Sequence, residues 1–195
     1  MRSSNYSFFE KIKNVFYLIG TKCYCRRARL IRFPIVVRGK KYIDFGTRLT
    51  TGKRCRIDVN GKHSQKVLCF GNNVNIGDDV RISCVEGIRI GNHVLMGSKI
   101  LIIDNSHGSY KGEDQSSPMV PPNERPLYSS PVEIGDNTWI GEHAVIMPGV
   151  RVGSGCIIGA NSVVTKSIPD NCIACGVPAV IIKKWDANKE LWVSV

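Results

Sequence analysis

From Ile134 onward an aliphatic residue returns at every sixth position: Ile134, Ile140, Ile146, Val152, Ile158 and Val164. Glycine follows four of these six, at Gly135, Gly141, Gly153 and Gly159. Four residues after each aliphatic stands Thr138, Ala144, Val150, Cys156, Ser162 or Ile168, nearly all small or β-branched. The same phase runs through Phe70, Ile76 and Ile82, resumes after a two-residue slip at Ile90, Met96 and Ile102, and is foreshadowed by Ile43, Leu49 and Cys55. A period of six fits neither a helix at 3.6 nor a simple strand at two. It predicts a solenoid in which each hexad supplies one short strand and one corner, three hexads closing a triangular coil of 18 residues. The aliphatic fills the prism, the small residue four along fits beside it, and glycine at the corner tolerates the backbone angles of the bend. Twelve hexads in phase argue against the alternative, a β-sandwich with coincidental spacing.

Two segments leave the pattern. Between His107 and Pro131 lie 23 residues rich in Gly, Ser and Pro (GSYKGEDQSSPMVPPNERPLYSS). A loop of this length inside a compact domain is usually functional, and its exit directly after His107 places that histidine where the loop opens a pocket. The second segment is N-terminal: Phe8, Phe9, Ile12, Val15, Phe16 and Ile19 recur at spacings that fit one face of a helix. The organisation expected is a basic amphipathic arm (1–34), a β-solenoid domain (35–184) with an excursion loop (108–131), and a C-terminal tail (185–195).

The 195 residues suit one domain with a small appendage, and 43% hydrophobic with 22% charged residues is the composition of a globular chain. No apolar run approaches the roughly 20 residues of a membrane span, and no signal-peptide core or cleavage site is legible. The net charge of +11 is unevenly spread. Residues 1–56 carry 15 Lys and Arg against Glu10 and Asp44, a net of +13, whereas residues 57–195 carry 12 against 14 acids, a net of −2. Lys11, Lys13, Lys22, Arg26, Arg27, Arg29 and Arg32 lie beside and after the apolar stripe. Such an arm suits an anionic membrane surface, and without a zinc-finger, helix-turn-helix or RNA-recognition signature nucleic acid is the weaker partner. The stripe has two open roles, lying in a bilayer interface or capping the end of the solenoid. The eight cysteines show no zinc spacing and read as reduced thiols of a cytosolic protein, mostly small core hydrophobes.

Four histidines are candidates for acid–base chemistry. His63 lies in a polar insertion, and His93 and His143 stand at solvated corners. His107 ends a hexad at the loop, three residues after Asp104. From position alone a base and a loop anchor are equally open to it. Trp139 projects outward, toward a substrate or a neighbouring subunit. Arg125 is the only arginine between Arg89 and Arg151, and shapes the loop or meets a substrate oxygen.

The stretches IIDNSHG (102–108), RPL (125–127) and IGDNTWIGEHAVIMPGVRVGSGCIIGANSVVTKSIPDNCIACGVPAV (134–180) resemble the hexapeptide-repeat acyltransferases, over about residues 35–184. The chain looks most like the O-acetyltransferases related to galactoside and maltose acetyltransferases, in particular those of lipopolysaccharide O-antigen and capsule biosynthesis. The resemblance implies a left-handed parallel β-helix, although right-handed crossovers are the general rule. It implies a homotrimer with sites between subunits, acetyl-coenzyme A as donor, no metal, and a carbohydrate acceptor. It makes His107 the general base, with Asp104, Asn105, Arg125 and Trp139 near the acceptor. It places the pantetheine arm along a groove near Gly141, Glu142 and Ala160, with Thr165, Lys166 and Lys183 toward the cofactor's phosphates. Val180 departs from a position often basic in the family.

Acetyl transfer to an alcohol needs a base near neutrality, an N–H for the oxyanion, and two substrates held together. N-acetylation of an amino sugar stays open on these residues. A γ-class carbonic anhydrase shares the β-helix but needs three clustered histidines, and the smallest histidine gap here, His93 to His107, is 14 residues. A non-enzymatic scaffold would have no need of both IIDNSHG and TWIG.

Overall fold

The computed structural model describes residues 7–195; residues 1–6 of the basic arm, Arg2 among them, lie outside the described residues. The hexads form a triangular prism of three parallel sheets. One has six strands, from Ile35–Arg38 through Cys55–Val59, Arg81–Cys84, Leu101–Ile103 and Val145–Ile146 to Val163–Val164. A second has five, from Ile43–Asp44 to Arg151–Val152. The third has eight, running from Thr50–Thr51 through Asn75–Ile76, Leu95–Met96, Trp139–Ile140 and Ile157–Ile158 to Cys172–Gly176 and a closing hairpin.

Register reproduces the arithmetic of the hexads. In the regular coils partners stand 18 residues apart, as Trp139↔Ile157 and Val145↔Val163 do. The two-residue slip appears as separations of 20, as in Leu68↔Ile88 and Asn75↔Leu95. The excursion loop lengthens one coil to 44, as in Leu95↔Trp139. Every aliphatic of the pattern points inward: Ile140, Ile146, Val152, Ile158 and Val164 are wholly buried, and Thr138, Ala144, Cys156 and Ser162 lie beside them with at most 1% exposed.

The corner glycines do a different task from the one expected. Gly141 has an ordinary φ, and a Cβ there would stand 2.6 Å from the Ala160 nitrogen of the next coil. Glycine is needed because successive coils touch at the corner. The left-handed angles fall two residues later, on Asn73, Asp79, His93, Lys99, Asn137, His143 and Asn161 (φ 56° to 59°). Asn and Asp tolerate that region best among residues with a side chain. His93 and His143 are therefore corner residues.

Helix α1 (Phe8–Tyr24) opens with a capping box, the Glu10 N–H donating to Ser7 Oγ and the Ser7 N–H to Glu10 Oε2. Its buried contact is Thr21, whose hydroxyl accepts from the Ile31 N–H at 2.7 Å. Tyr17 and Tyr24 pack on Phe33, and Tyr24 also on Phe45 at the end of the prism. The helix does close that end, but with the face opposite the apolar stripe. Phe8, Phe9, Val15, Phe16 and Ile19 stay more than half exposed. The last residues are no tail: Ala179–Asp186 pairs antiparallel with Cys172–Gly176 and with Leu191–Ser194, extending the eight-stranded sheet.

Cys55, Cys84, Cys156 and Cys172 are buried in the prism and all eight cysteines are free. Burial pushes the Cys55 thiol from its ordinary 9.0 to about 11. The neutral thiol is thus favoured in the folded chain, and its stabilising effect is full below pH 9 and is lost as pH rises toward 11. Urea titrations across that window should show wild type losing more stability than Cys55→Ala; parallel losses would refute the assignment. Ile140→Ala should cost about 2–5 kcal/mol as a shift of the urea midpoint at unchanged slope. A cost under about 0.5 kcal/mol would mean that the hexad positions do not hold the prism.

Candidate active site

The excursion leaves the prism as an antiparallel ribbon, Asn105–His107 against Leu127–Ser129. It is braced at the far side by Arg125, which donates from Nε to the Val120 carbonyl at 2.8 Å and from Nη1 to the Tyr110 hydroxyl at 2.8 Å. Tyr110 in turn donates to the His107 carbonyl. Of its two open roles, Arg125 makes the contacts of a residue that shapes the loop.

Side chains alternate along the ribbon. Ser106 lines a cavity of about 240 Å³ with Gly108, Tyr110, Tyr128, Met147 and Thr165. His107, the next residue, lies outside that lining and is exposed. The ribbon therefore opens a pocket as its length suggests, but His107 faces the other way. Its imidazole has no hydrogen-bond partner among the described residues, which leaves both nitrogens available.

Asp104 departs further from expectation. It lies two residues past inward-pointing Ile102, so the same alternation turns it into the prism, where it is fully buried. Its carboxylate accepts the N–H groups of Val85 at 2.8 Å, Glu86 at 2.9 Å and Gly87 at 2.8 Å, and the Asn105 side-chain amide at 2.9 Å. Asp104 thus holds the turn beneath the ribbon and does not face an acceptor. Asn105 also donates inward, to the Ser83 carbonyl at 3.1 Å, with part of its surface open.

A second cluster forms on the outer face of the eight-stranded sheet. Trp139, Gly141, Glu142 and Ala160 line a groove of about 410 Å³ with Leu95, Gly97 and Ile157. Trp139 is half exposed. One row of in-register partners crosses the sheet here, Leu95↔Trp139↔Ile157↔Ile173↔Lys183. In-register partners share a face, so Lys183 stands on the groove side, three strands from Trp139 and about 14 Å away. Thr165 belongs instead to the ribbon cavity, and Lys166 is exposed at the corner after Val163–Val164.

The groove's corner differs from the others in its hydrogen bonds. Elsewhere a polar side chain of one coil caps an N–H of the coil before: Asn92 takes the Asn72 N–H, Asp136 that of Asn92, Ser154 that of Asp136 and Asp170 that of Ser154. Along the groove's corner the series starts in the same way, Asp78 taking the Lys53 N–H and Ser98 that of Asp78. It stops where Glu142 and Ala160 follow. The Ser98, Glu142 and Ala160 N–H groups have no partner among the described residues. Glu142 and Ala160 are exposed, so these donors face the groove's edge. A row of free N–H groups beside an apolar groove suits an extended ligand with amide carbonyls. The sequence signal was available: the corner loses its Asp, Asn or Ser.

His63 lies apart, its Nε2 within 2.8 Å of the Asn60 carbonyl and its ring against Tyr42. Among the described residues no three of His, Cys, Asp and Glu gather into a group that could hold a metal ion.

Comparison with known proteins identifies the architecture. The family model for bacterial transferase hexapeptide (six repeats) matches residues 131–166. WbbJ of Escherichia coli K12, named as a lipopolysaccharide biosynthesis O-acetyl transferase, is 41% identical over 97% of this chain and 96% of its own. A maltose O-acetyltransferase from Clostridium difficile 630 superposes with a TM-score of 0.60 at 31% identity, covering 74% of this chain and 71% of that one. A galactoside acetyltransferase solved in complex with coenzyme A gives 0.51 at 28% identity, covering 73% and 68%. The prism is the left-handed parallel β-helix of these enzymes, and the chain belongs to the hexapeptide-repeat acetyltransferases.

Proposed function

We propose that this chain transfers an acetyl group from acetyl-coenzyme A to a hydroxyl of a sugar in a surface polysaccharide or its lipid-linked precursor. The observation that carries this reading is the pair of half-sites. The exposed His107 imidazole on the ribbon is not among the residues that line the Trp139 groove of the same chain. A homotrimer in which the ribbon of one subunit covers the groove of the next would bring them together.

The groove fits the donor through its free Glu142 and Ala160 N–H groups and the flat Trp139 ring, with Lys183 offering charge farther along the same face. The bound thioester supplies the activated acetyl carbonyl. His107 accepts the proton of the sugar hydroxyl as its oxygen attacks that carbonyl, and returns the proton to the departing sulfur. The proton count closes without a covalent enzyme intermediate. The likeness to WbbJ and to a maltose O-acetyltransferase supports a sugar hydroxyl as acceptor.

His107→Ala should lower turnover by roughly 10²–10⁴-fold with the melting temperature unchanged, because the side chain is exposed and holds no hydrogen bond among the described residues. Full activity in that variant would sink the mechanism. Asp104→Asn should behave in the opposite manner: it weakens charge-assisted bonds to three backbone N–H groups and costs stability, about 1–3 kcal/mol, while surviving folded enzyme keeps its turnover. A stable but inactive Asp104→Asn protein would return Asp104 to the reaction. The acceptor class is read from surface glycan of cells with and without the gene, by mass spectrometry. Loss of about 42 Da per acetylated sugar confirms O-acetylation when mild alkali removes the group. An alkali-stable acetyl points to an amide instead.

A further inference from the structure

Helix α1 meets the prism with one side only. At about 100° per residue, Asn14, Tyr17, Thr21 and Tyr24 share the packed side, and Phe8, Phe9, Ile12, Val15, Phe16 and Ile19 fall within an arc of about 120° on the other. All six are exposed, from 39% at Ile12 to 73% at Phe9. Lys11 and Lys22 border one edge of the arc and Lys13 the other, and exposed Arg26, Arg27 and Arg29 follow the helix. Among the described residues none of these six cations forms an ion pair. Glu10, the acid of the helix, is turned onto the helix's own Ser7.

We propose that this face docks on an anionic lipid bilayer, with the helix in the plane of the interface, the six apolar side chains below the headgroups and the lysines at the level of the phosphates. Charge decides the occupant. A second copy presenting the same face would set one row of lysines against another, a like-charge juxtaposition that interfaces avoid. A nucleic acid would meet the cations but leave Ile12, Val15 and Ile19 without an apolar partner. A bilayer of anionic lipid satisfies both halves of the face. The packed side keeps the helix folded and anchored before any lipid is met, because Thr21, Tyr17 and Tyr24 are already seated on Ile31 and Phe33. The charge asymmetry orients the approach, since the net +13 lies in residues 1–56 and the remainder is −2. In the six-stranded sheet the ribbon leaves after the fourth strand, three strands and about 14 Å from the end on which α1 packs. Docking would therefore hold the ribbon near the membrane surface without burying it. This inference stands on the helix alone and does not depend on the reaction.

The test is co-sedimentation of the full chain with vesicles of phosphatidylcholine containing about a third phosphatidylglycerol, at low salt, against pure phosphatidylcholine. The chain should pellet with the anionic vesicles, and binding should fall several-fold at about 0.5 M salt. Phe16→Ser/Ile19→Ser should lose at least tenfold in partitioning with an unchanged melting temperature, since both side chains already stand in solvent. Lys11→Gln/Lys13→Gln should lose roughly 25-fold. Absence of pelleting, or equal pelleting of wild type and Phe16→Ser/Ile19→Ser, would overturn the proposal. So would a lower sedimentation mass for Phe16→Ser/Ile19→Ser, which would assign the face to contact between copies. Equal binding to neutral vesicles would remove the role given to the lysines.

Discussion

The close stacking of one coil on the next governs this molecule. Strand hydrogen bonds hold neighbouring coils about 4.8 Å apart on all three faces, and the corners must close to the same spacing. A Cβ on Gly97 would stand 2.8 Å from the Glu142 nitrogen, and one on Gly141 2.6 Å from that of Ala160. The sixfold repeat is the record of that constraint. Inside, each hexad contributes two buried side chains, one large apolar residue and, four along, one that is small or an aliphatic such as Val94 or Ile100. A prism filled in this way has no interior cleft for chemistry, so whatever the protein does must happen on its faces, its corners or the one segment that leaves it.

Each part of the candidate site is a local release from the stack. The ribbon exists because the chain leaves the six-stranded sheet after Ile103 and rejoins the prism at Pro131, ahead of Val132–Ile134 in the five-stranded sheet, and Asp104 holds the break in place by taking three backbone N–H groups of the turn below. The groove exists because its corner stops capping the N–H groups of the previous coil at Ser98, Glu142 and Ala160. The two releases lie on different faces of one chain. In the homotrimer we propose, each release would meet its missing partner, which would give the oligomer a chemical reason beyond covering apolar faces.

The prism was legible in the sequence because its determinant is a repeat: every aliphatic of the hexads is buried, and the slip at Ile90 reappears as a change of register. Features that depend on direction were less legible. Periodicity found the apolar stripe of α1 but not which way it points; Thr21 and two tyrosines, a weaker signal, make the packed face. Three-residue strands such as Asn105–His107 are too short to show a pattern, so the ribbon read as loop. Alternation from Ile102 would have turned Asp104 inward, but family resemblance drew it toward the acceptor. The closing hairpin was missed because Ala179–Asp186 carries lysines and a tryptophan outside the hexad register. Resemblance singles out His107, Trp139, Gly141, Glu142 and Ala160, and the structure places the last four along one groove and His107 on the ribbon apart from it.

The central claim is that His107 of one chain serves the groove of another. Co-expression of His107→Ala with Ala160→Trp, which fills the groove, tests it directly. Each variant alone should be nearly inactive. Random assembly of equal amounts would leave about a third of the sites in mixed trimers, and about a quarter of all sites, with an intact His107 beside an intact groove, so activity should return to that order. A mixture no more active than its parents, with mixed trimers verified by mass, would place both halves of the site in a single chain and contradict the account.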